Sequence, residues 1–252
     1  MKSSWQERSH HFAFGPFIKC PHPEIIEVCK FSGCDFAVID MEHSALSPPS
    51  LYPLVLAAEA RSIDLIVRIP NSDESYLKWV LDLGIRFIQI PHIQCSKDVE
   101  KVMDAAYFKP KGSRGLCRFV RASNFSAIPG SSYIETASEK THLIFQIEGK
   151  KGLDSFADII NVPGLEYIFI GPYDLSQSLG RPGDIWHHEV TSRMHEVLRL
   201  SKEKKIKVGT FTDSVQGVKK WAEAGMDIIQ YASDLNILMS GIQQIRKELS
   251  AD

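Results

Sequence analysis

At 252 residues, with 44% hydrophobic and 24% charged side chains, the chain has the make-up of a globular protein able to bury a full core, which excludes fibrous and disordered classes. A formal net charge of −2, with no basic run denser than KEKKIK near residue 205, excludes the electrostatic footprint of nucleic-acid or anionic-membrane binding and leaves small solutes as partners. Five cysteines (Cys20, Cys29, Cys34, Cys95, Cys117), odd in number and without C-x-x-C spacing, argue against a disulfide framework or a zinc ribbon; they fit a reducing cytosol and read mostly as small buried apolar residues.

The N-terminal stretch MKSSWQERSHHFAF lacks an apolar core followed by a small-residue cleavage site, and no run reaches the ~18 apolar residues of a membrane span, so the chain reads as cytoplasmic. From there, short β-branched runs recur, each followed by a stretch with helical spacing. They are FAFGPFIK (12–19), FAVID (36–40), LIVRIP (65–70), FIQIPHI (87–93), LIFQIE (143–148), YIFIGP (167–172), VGTF (208–211) and DIIQYAS (227–233). The amphipathic segments between them include PEIIEVCKFSG, ESYLKWVLDLG, SKDVEKVMDAAYF, EVTSRMHEVLRLSKEKK and SVQGVKKWAEAG. Several open on Ser or Pro and close on Gly, the chemistry of helix caps.

Eight strands, each followed by a helix, predict an α/β fold: a single closed (β/α)8 TIM-type barrel over residues 1–252. A doubly wound open sheet would carry a G-x-G-x-x-G or a P-loop after its first strand, and neither is present. One connection, from Phe108 to Leu143, exceeds thirty residues and is rich in Gly, Arg, Ser and Pro. As an αβ connection it starts at the end opposite the active mouth. Arg114 and Arg121 are therefore substrate contacts only if it climbs back over the top, and otherwise solvated arginines.

In such a barrel the strands deliver their last residues to one mouth. The second strand supplies Asp40, Glu42 and His43, the third Arg68, the fourth His92, the fifth Gln146 and Glu148, and the sixth a GPYDLS turn with Asp174. Each has a structural reading of its own: Asp40 as a turn cap, Arg68 as a surface ion pair, His92 as a packed, hydrogen-bonded ring. Their convergence outweighs those readings, because several buried charges without counter-ions are costly. Gln146 and Glu148 share strand parity and point the same way. Glu148 and Asp174 offer a hard-oxygen half-shell suited to Mg²⁺ or Mn²⁺, with positions left for water and substrate.

The strings FAVIDMEHSALS, LIVRIP, GIRFIQIPHI, GSRG, FQIEGKKGLDSFADIINVPGLEYIFIGPYDLSQSLGRPG and YASDLNIL resemble the class II, metal- and pyruvate-dependent aldolases of the HpcH/HpaI family, in order from about residue 13 to residue 240. The resemblance implies a divalent-metal-dependent carbon–carbon lyase that cleaves a 2-keto-4-hydroxy acid to pyruvate and an aldehyde through a metal-stabilised pyruvate enolate. It implies Glu148 and Asp174 as ligands of Mg²⁺, Mn²⁺ or Co²⁺, with Gln146 and the Gly171, Pro172, Tyr173 and Asp174 turn holding the keto acid. His43 matches the general base and Arg68 the enolate-stabilising arginine, while Asp40 and Glu42, by adjacency, orient His43, Arg68 or a metal-bound water. Asp82 matches an aspartate that raises the histidine's basicity. Because Asp82 ends a helix, that contact comes from a neighbouring subunit or the match misleads.

Tyr173, Gly149 and His92 depart from common family choices and bear on the aldehyde side of the pocket. The last helix, LNILMSGIQQIRKELSAD, is amphipathic. In resembling proteins it is exchanged between subunits, which implies a homotrimer or homohexamer. Alternatives on the same site are a malyl- or citramalyl-CoA type lyase, an oxaloacetate decarboxylase and a non-catalytic keto-acid binder. A Schiff-base aldolase would need a strand-end lysine, and only Lys19 qualifies.

Overall fold

The computed structural model describes residues 12–250; the N-terminal stretch read above as lacking a cleavage signal falls largely outside them. Eight parallel strands close in sequence order into one barrel. They are β1 (Ala13–Ile18), β2 (Phe36–Asp40), β3 (Asp64–Arg68), β4 (Phe87–Ile90), β5 (His142–Ile147), β6 (Tyr167–Ile170), β7 (Lys207–Thr212) and β8 (Ile228–Ser233). Every predicted strand is present, its ends shifted by three residues at most.

Alternation along the strands builds two cores. Phe36, Val38, Ile66, Phe87, Ile144, Tyr167, Phe169 and Ile228 fill the barrel interior. Ala37, Ile39, Val67, Ile88, Phe145 and Ile168, one position out of phase, form the shell beneath the helices. Parity therefore sends Asp40, Arg68, Gln89, Gln146 and Gln230 inward, because each lies an even number of residues from an interior apolar position. The register pairs Asp40 with Arg68 and Arg68 with Gln89, setting three polar residues at one level across β2, β3 and β4.

The outer ring consists of α1 (Pro23–Phe31), α2 (Pro48–Arg61), α3 (Glu74–Asp82), α4 (Ser96–Ala106), α5 (Gly130–Lys140), the short α6 (Lys150–Asp154) and α7 (Phe156–Ile159), α8 (Pro172–Ser178), α9 (His188–Glu203), α10 (Val215–Ala224) and α11 (Asp234–Leu249). Caps follow local chemistry. Asp73 accepts from the Ser75 amide at 2.7 Å to start α3, and Ser214 accepts from the Gly217 amide at 3.1 Å to start α10. Among the described residues no helix is long and apolar enough to cross a membrane.

The structure corrects four expectations. The segment after β6 is helix α8, started by Pro172, rather than a turn. The long connection contains α5, whose single buried residue, Tyr133, gave the sequence no apolar period. Its arginines are neither substrate contacts in this chain nor solvated: Arg114 pairs with Asp82 at 2.7 Å, while Arg121 pairs with Glu59 and donates to the Leu83 carbonyl at 2.9 Å, at the end of α3 away from the mouth. Of the five cysteines only Cys29 is buried.

Candidate active site

The site grows from the end of β2. Asp40 is fully buried, and its Oδ1 accepts from Arg68 Nε at 3.0 Å and from the backbone amides of Glu42 at 3.1 Å and His43 at 3.2 Å. Arg68 Nη2 reaches Asp40 Oδ2 at 2.9 Å, and Nη1 reaches Glu42 Oε2 at 3.2 Å. The guanidinium lies 4.7 Å over the Phe17 ring, a cation–π contact that adds to the two carboxylates in holding it. Burial pushes the Asp40 carboxyl up, but the Arg68 hydrogen bond and charge, helped by the His43 amide and Lys19, outweigh it and hold the carboxyl below its ordinary value. Glu42 goes the other way: burial raises it, Arg68 only partly offsets this, and the neighbouring Glu148 adds to the rise.

His43 stands exposed on the turn after β2. Its amide is pinned by Asp40, its carbonyl accepts from Lys19 Nζ at 2.8 Å, and its Nε2 is 3.9 Å from Glu42 Oε2. Lys19 Nζ is also 3.6 Å from Asp40 Oδ2, so the strand-end lysine braces the turn carrying His43.

On the far side, Glu148 follows β5. Its Oε1 accepts from the His92 amide at 2.7 Å and faces His92 Nδ1 at 2.8 Å, and its Oε2 accepts from Gln146 Nε2. His92 Nε2 in turn faces Glu42 Oε1 at 2.9 Å. Behind Gln146 runs a buried chain of amides: Gln230 Nε2 donates to Gln89 Oε1 at 2.6 Å, and Gln89 Nε2 donates to Gln146 Oε1. This chain crosses the barrel from β8 to β5 and fixes which end of the Gln146 amide faces Glu148.

A cavity of about 330 Å³ opens between these groups, walled by Arg68, His43, Gln146, Gly171, Tyr173 and Asp174, with Pro172 and Asp213 beside them. Gly171 is essential to its shape. A Cβ there would stand 3.0 Å from both Glu148 Oε2 and Glu148 Cβ and 3.4 Å from Gln146 Nε2, so glycine leaves these two side chains their room. Tyr173 donates to Asp213 Oδ2 at 2.6 Å; burial first, then that hydrogen bond and charge, push its hydroxyl up to about 12.

The donor set fits a divalent cation. Buried oxygens of Asp40 and Glu42 have ion-pair contacts but no well-aligned hydrogen bond, and acidic groups outnumber basic ones at the mouth. Glu42, His92 and Glu148 each bring a ligand atom within 4.8 Å of the others. Glu148 beside Gly171 and Asp174 on the cavity wall carry carboxylate oxygens, the donor type that Mg²⁺ or Mn²⁺ takes.

Of the predicted residues, Asp40, Glu42, His43, Arg68, Gln146, Glu148, Gly171, Pro172, Tyr173 and Asp174 gather at this mouth. Asp82 does not: in this chain it is held by Arg114 at the other end of α3. Sequence reasoning missed Gln89 and Gln230; the available signal was a glutamine at an interior-parity position of an otherwise apolar strand, in FIQI and IIQYA.

A closed barrel with an arginine, an imidazole and a cluster of carboxylates at the carboxyl ends of its strands defines a barrel enzyme. The chain belongs to the family described as HpcH/HpaI aldolase/citrate lyase, whose model matches residues 13–240. It is 28% identical over 242 residues to the hydroxypyruvate/pyruvate aldolase of Paraburkholderia phytofirmans, covering 94% of this chain and 92% of that protein. To the 5-keto-4-deoxy-D-glucarate aldolase of Klebsiella pneumoniae it is 24% identical over 237 residues, with the same shares covered. Among solved structures, an HpcH/HpaI aldolase/citrate lyase family protein from Burkholderia cenocepacia superposes with a TM-score of 0.92 at 28% identity, covering 99% of this chain and 100% of that one. The citrate synthase SbnG superposes at 0.86 with 29% identity, covering 99% of each chain.

Proposed function

We propose that this protein is a divalent-metal-dependent class II aldolase that cleaves a 2-keto-4-hydroxy acid into pyruvate and an aldehyde and runs the reverse addition. The similar curated proteins bear aldolase names, which favours this reading over a CoA-thioester lyase or a silent binder. The observation that carries it is Arg68, held by Asp40 and Glu42 and lining one cavity together with Gln146 and Asp174.

Glu148 and Asp174 would hold the metal, which when bound supplies Lewis-acid charge to the oxygens of the keto acid. Gln146 and the Gly171 to Asp174 segment seat the same ligand. His43 accepts the C4 hydroxyl proton at its imidazole, the C3–C4 bond breaks, and a proton is returned to C3, which becomes the pyruvate methyl. Arg68 meets the negative charge that develops on the keto-acid half with a preorganised cation.

We read the assembly as a cytoplasmic homotrimer or homohexamer. Leu235, Leu238, Ile242, Ile245 and Leu249 repeat at intervals of three and four along α11, and all are exposed, a stripe suited to another copy's surface. In such an assembly Asp82 would serve a neighbour's site.

The test is pyruvate in D₂O, with loss of the methyl proton signal followed by NMR. Exchange that requires Mg²⁺ or Mn²⁺, stops with EDTA and is lost in His43→Ala supports the reading; no exchange with any divalent metal overturns it.

A further inference from the structure

Building on the metal site proposed above, we propose that His92 is a positioning residue: it ties the metal carboxylate Glu148 to the arginine carboxylate Glu42, so that the two halves of the site keep one spacing. Its two ring nitrogens project from different edges of one rigid ring, with Nδ1 2.8 Å from Glu148 Oε1 and Nε2 2.9 Å from Glu42 Oε1. Glu42 is in turn 3.2 Å from Arg68, so a continuous path runs from Glu148 through His92 and Glu42 to the group that meets developing charge.

Three further features make this a built contact rather than incidental packing. The His92 amide donates to the same Glu148 oxygen at 2.7 Å, so the residue grips that carboxylate from backbone and ring at once. The backbone is held in the left-handed region, at φ 61, which is uncommon for a non-glycine residue. And the side chain is 57% exposed, so the core does not hold it. What fixes the ring is the pair of carboxylates.

Imidazole suits this task because it carries two nitrogens at a fixed separation on one rigid ring, one for each of two carboxylates that would otherwise face each other. Phenylalanine keeps the ring and removes both contacts. Glutamine keeps one donor group, enough for one carboxylate at a time. Groups that orient a metal ligand typically change affinity by about 10–100-fold when removed.

The experiment titrates Mn²⁺ alone into the metal-free protein and follows the free-ion signal by electron paramagnetic resonance, for wild type, Glu148→Gln, His92→Phe and His92→Gln. Circular dichroism checks the fold, and kcat and KM for pyruvate exchange are measured at saturating Mn²⁺. Expected are loss of the site in Glu148→Gln, about 10–100-fold weaker Mn²⁺ binding in His92→Phe, partial recovery in His92→Gln, and a fall in kcat with little change in KM once metal is saturating. If His92→Phe does not fold, His92→Gln decides alone by binding Mn²⁺ several-fold more weakly than wild type.

Affinity within twofold of wild type in the folded His92 variants, while Glu148→Gln still loses the ion, overturns the role of His92 and leaves the metal site standing. Absence of a Mn²⁺ site in wild type removes both. A ¹⁴N coupling to bound Mn²⁺ that vanishes in His92→Phe makes His92 a ligand and overturns the positioning role.

Discussion

Asp40 and Arg68 meet as a fork, Nε to Oδ1 at 3.0 Å and Nη2 to Oδ2 at 2.9 Å, from register-paired positions at the ends of β2 and β3. The pair is buried, so its value lies in fixed geometry rather than in Coulomb energy alone: desolvation takes back much of what attraction gives, while breaking the pair leaves a charge stranded. Asp40→Asn should therefore cost about 3 kcal/mol, the lower end for a broken buried pair because Glu42 keeps Arg68 partly neutralised. It should also lower kcat on the order of 10²–10³-fold, as loss of a preorganised charge does. Chemical denaturation and steady-state kinetics measure the two effects. If Asp40→Asn and Glu42→Gln both keep wild-type turnover, neither carboxylate positions the catalytic groups.

The same pair predicts a pH signature. Asp40 has its carboxyl below its ordinary value in the folded state, because Arg68 outweighs burial. A depressed carboxyl contributes stability that is present above its unfolded pKa of about 3.9 and is lost as pH falls through the folded value. The stability gap between wild type and Asp40→Asn should hold steady from neutral pH down to the carboxylate range and then close on further acidification. Urea unfolding at a series of pH values reads the gap directly; a constant gap down to the lowest pH would show that Asp40 is not held ionised by Arg68.

Gly171 offers a probe that removes no charged group. Its φ of −85 suits any residue, so Gly171→Ala imposes no backbone penalty, only a methyl 3.0 Å from Glu148 Oε2. The carboxylate must yield by a few tenths of an ångström or more. Binding of Mn²⁺ should weaken by about 10-fold, the scale of a disturbed ligand geometry, while thermal stability changes by about 1 kcal/mol or less. Calorimetric titration with Mn²⁺ alone provides the check.

How far the sequence led can be read from individual residues. The eight strands were legible because their two faces are largely buried, which leaves nearly continuous apolar runs such as LIV in β3 and YIFI in β6. Asp40, Arg68 and Glu148 were legible because charge at the end of such a run has no structural reason to be there. Helix α5 was not, since Tyr133 is its only buried residue and no period shows through. The amide chain was not, because Gln89 and Gln230 gain their meaning from each other, 141 residues apart. Nor was the bridge made by His92, whose two partners come from different strands.

Helix α11 presents Leu238 and Ile242 outward, 61% and 54% exposed, in the middle of its apolar stripe. If another copy of the chain covers that stripe, charges there cost both desolvation and packing. Leu238→Glu with Ile242→Glu should shift the protein to monomers in light scattering behind size exclusion, and the monomer should have lost activity if Asp82 serves a neighbour's site. A wild-type monomer would remove this prediction at once.

Tyr173 gives a test on the cavity wall. Burial, and then the 2.6 Å hydrogen bond and charge of Asp213, raise its hydroxyl to about 12 from an ordinary value near 10. A raised pKa means that the hydrogen bond stabilises the fold fully below the unfolded value, and that this contribution is lost as pH rises through the folded one. Phenolate absorbance of wild type minus Tyr173→Phe should show one ionisation near 12, and in Asp213→Asn the same difference should move down toward 10. If the difference already titrates near 10 in wild type, Tyr173 is not held by Asp213 in solution.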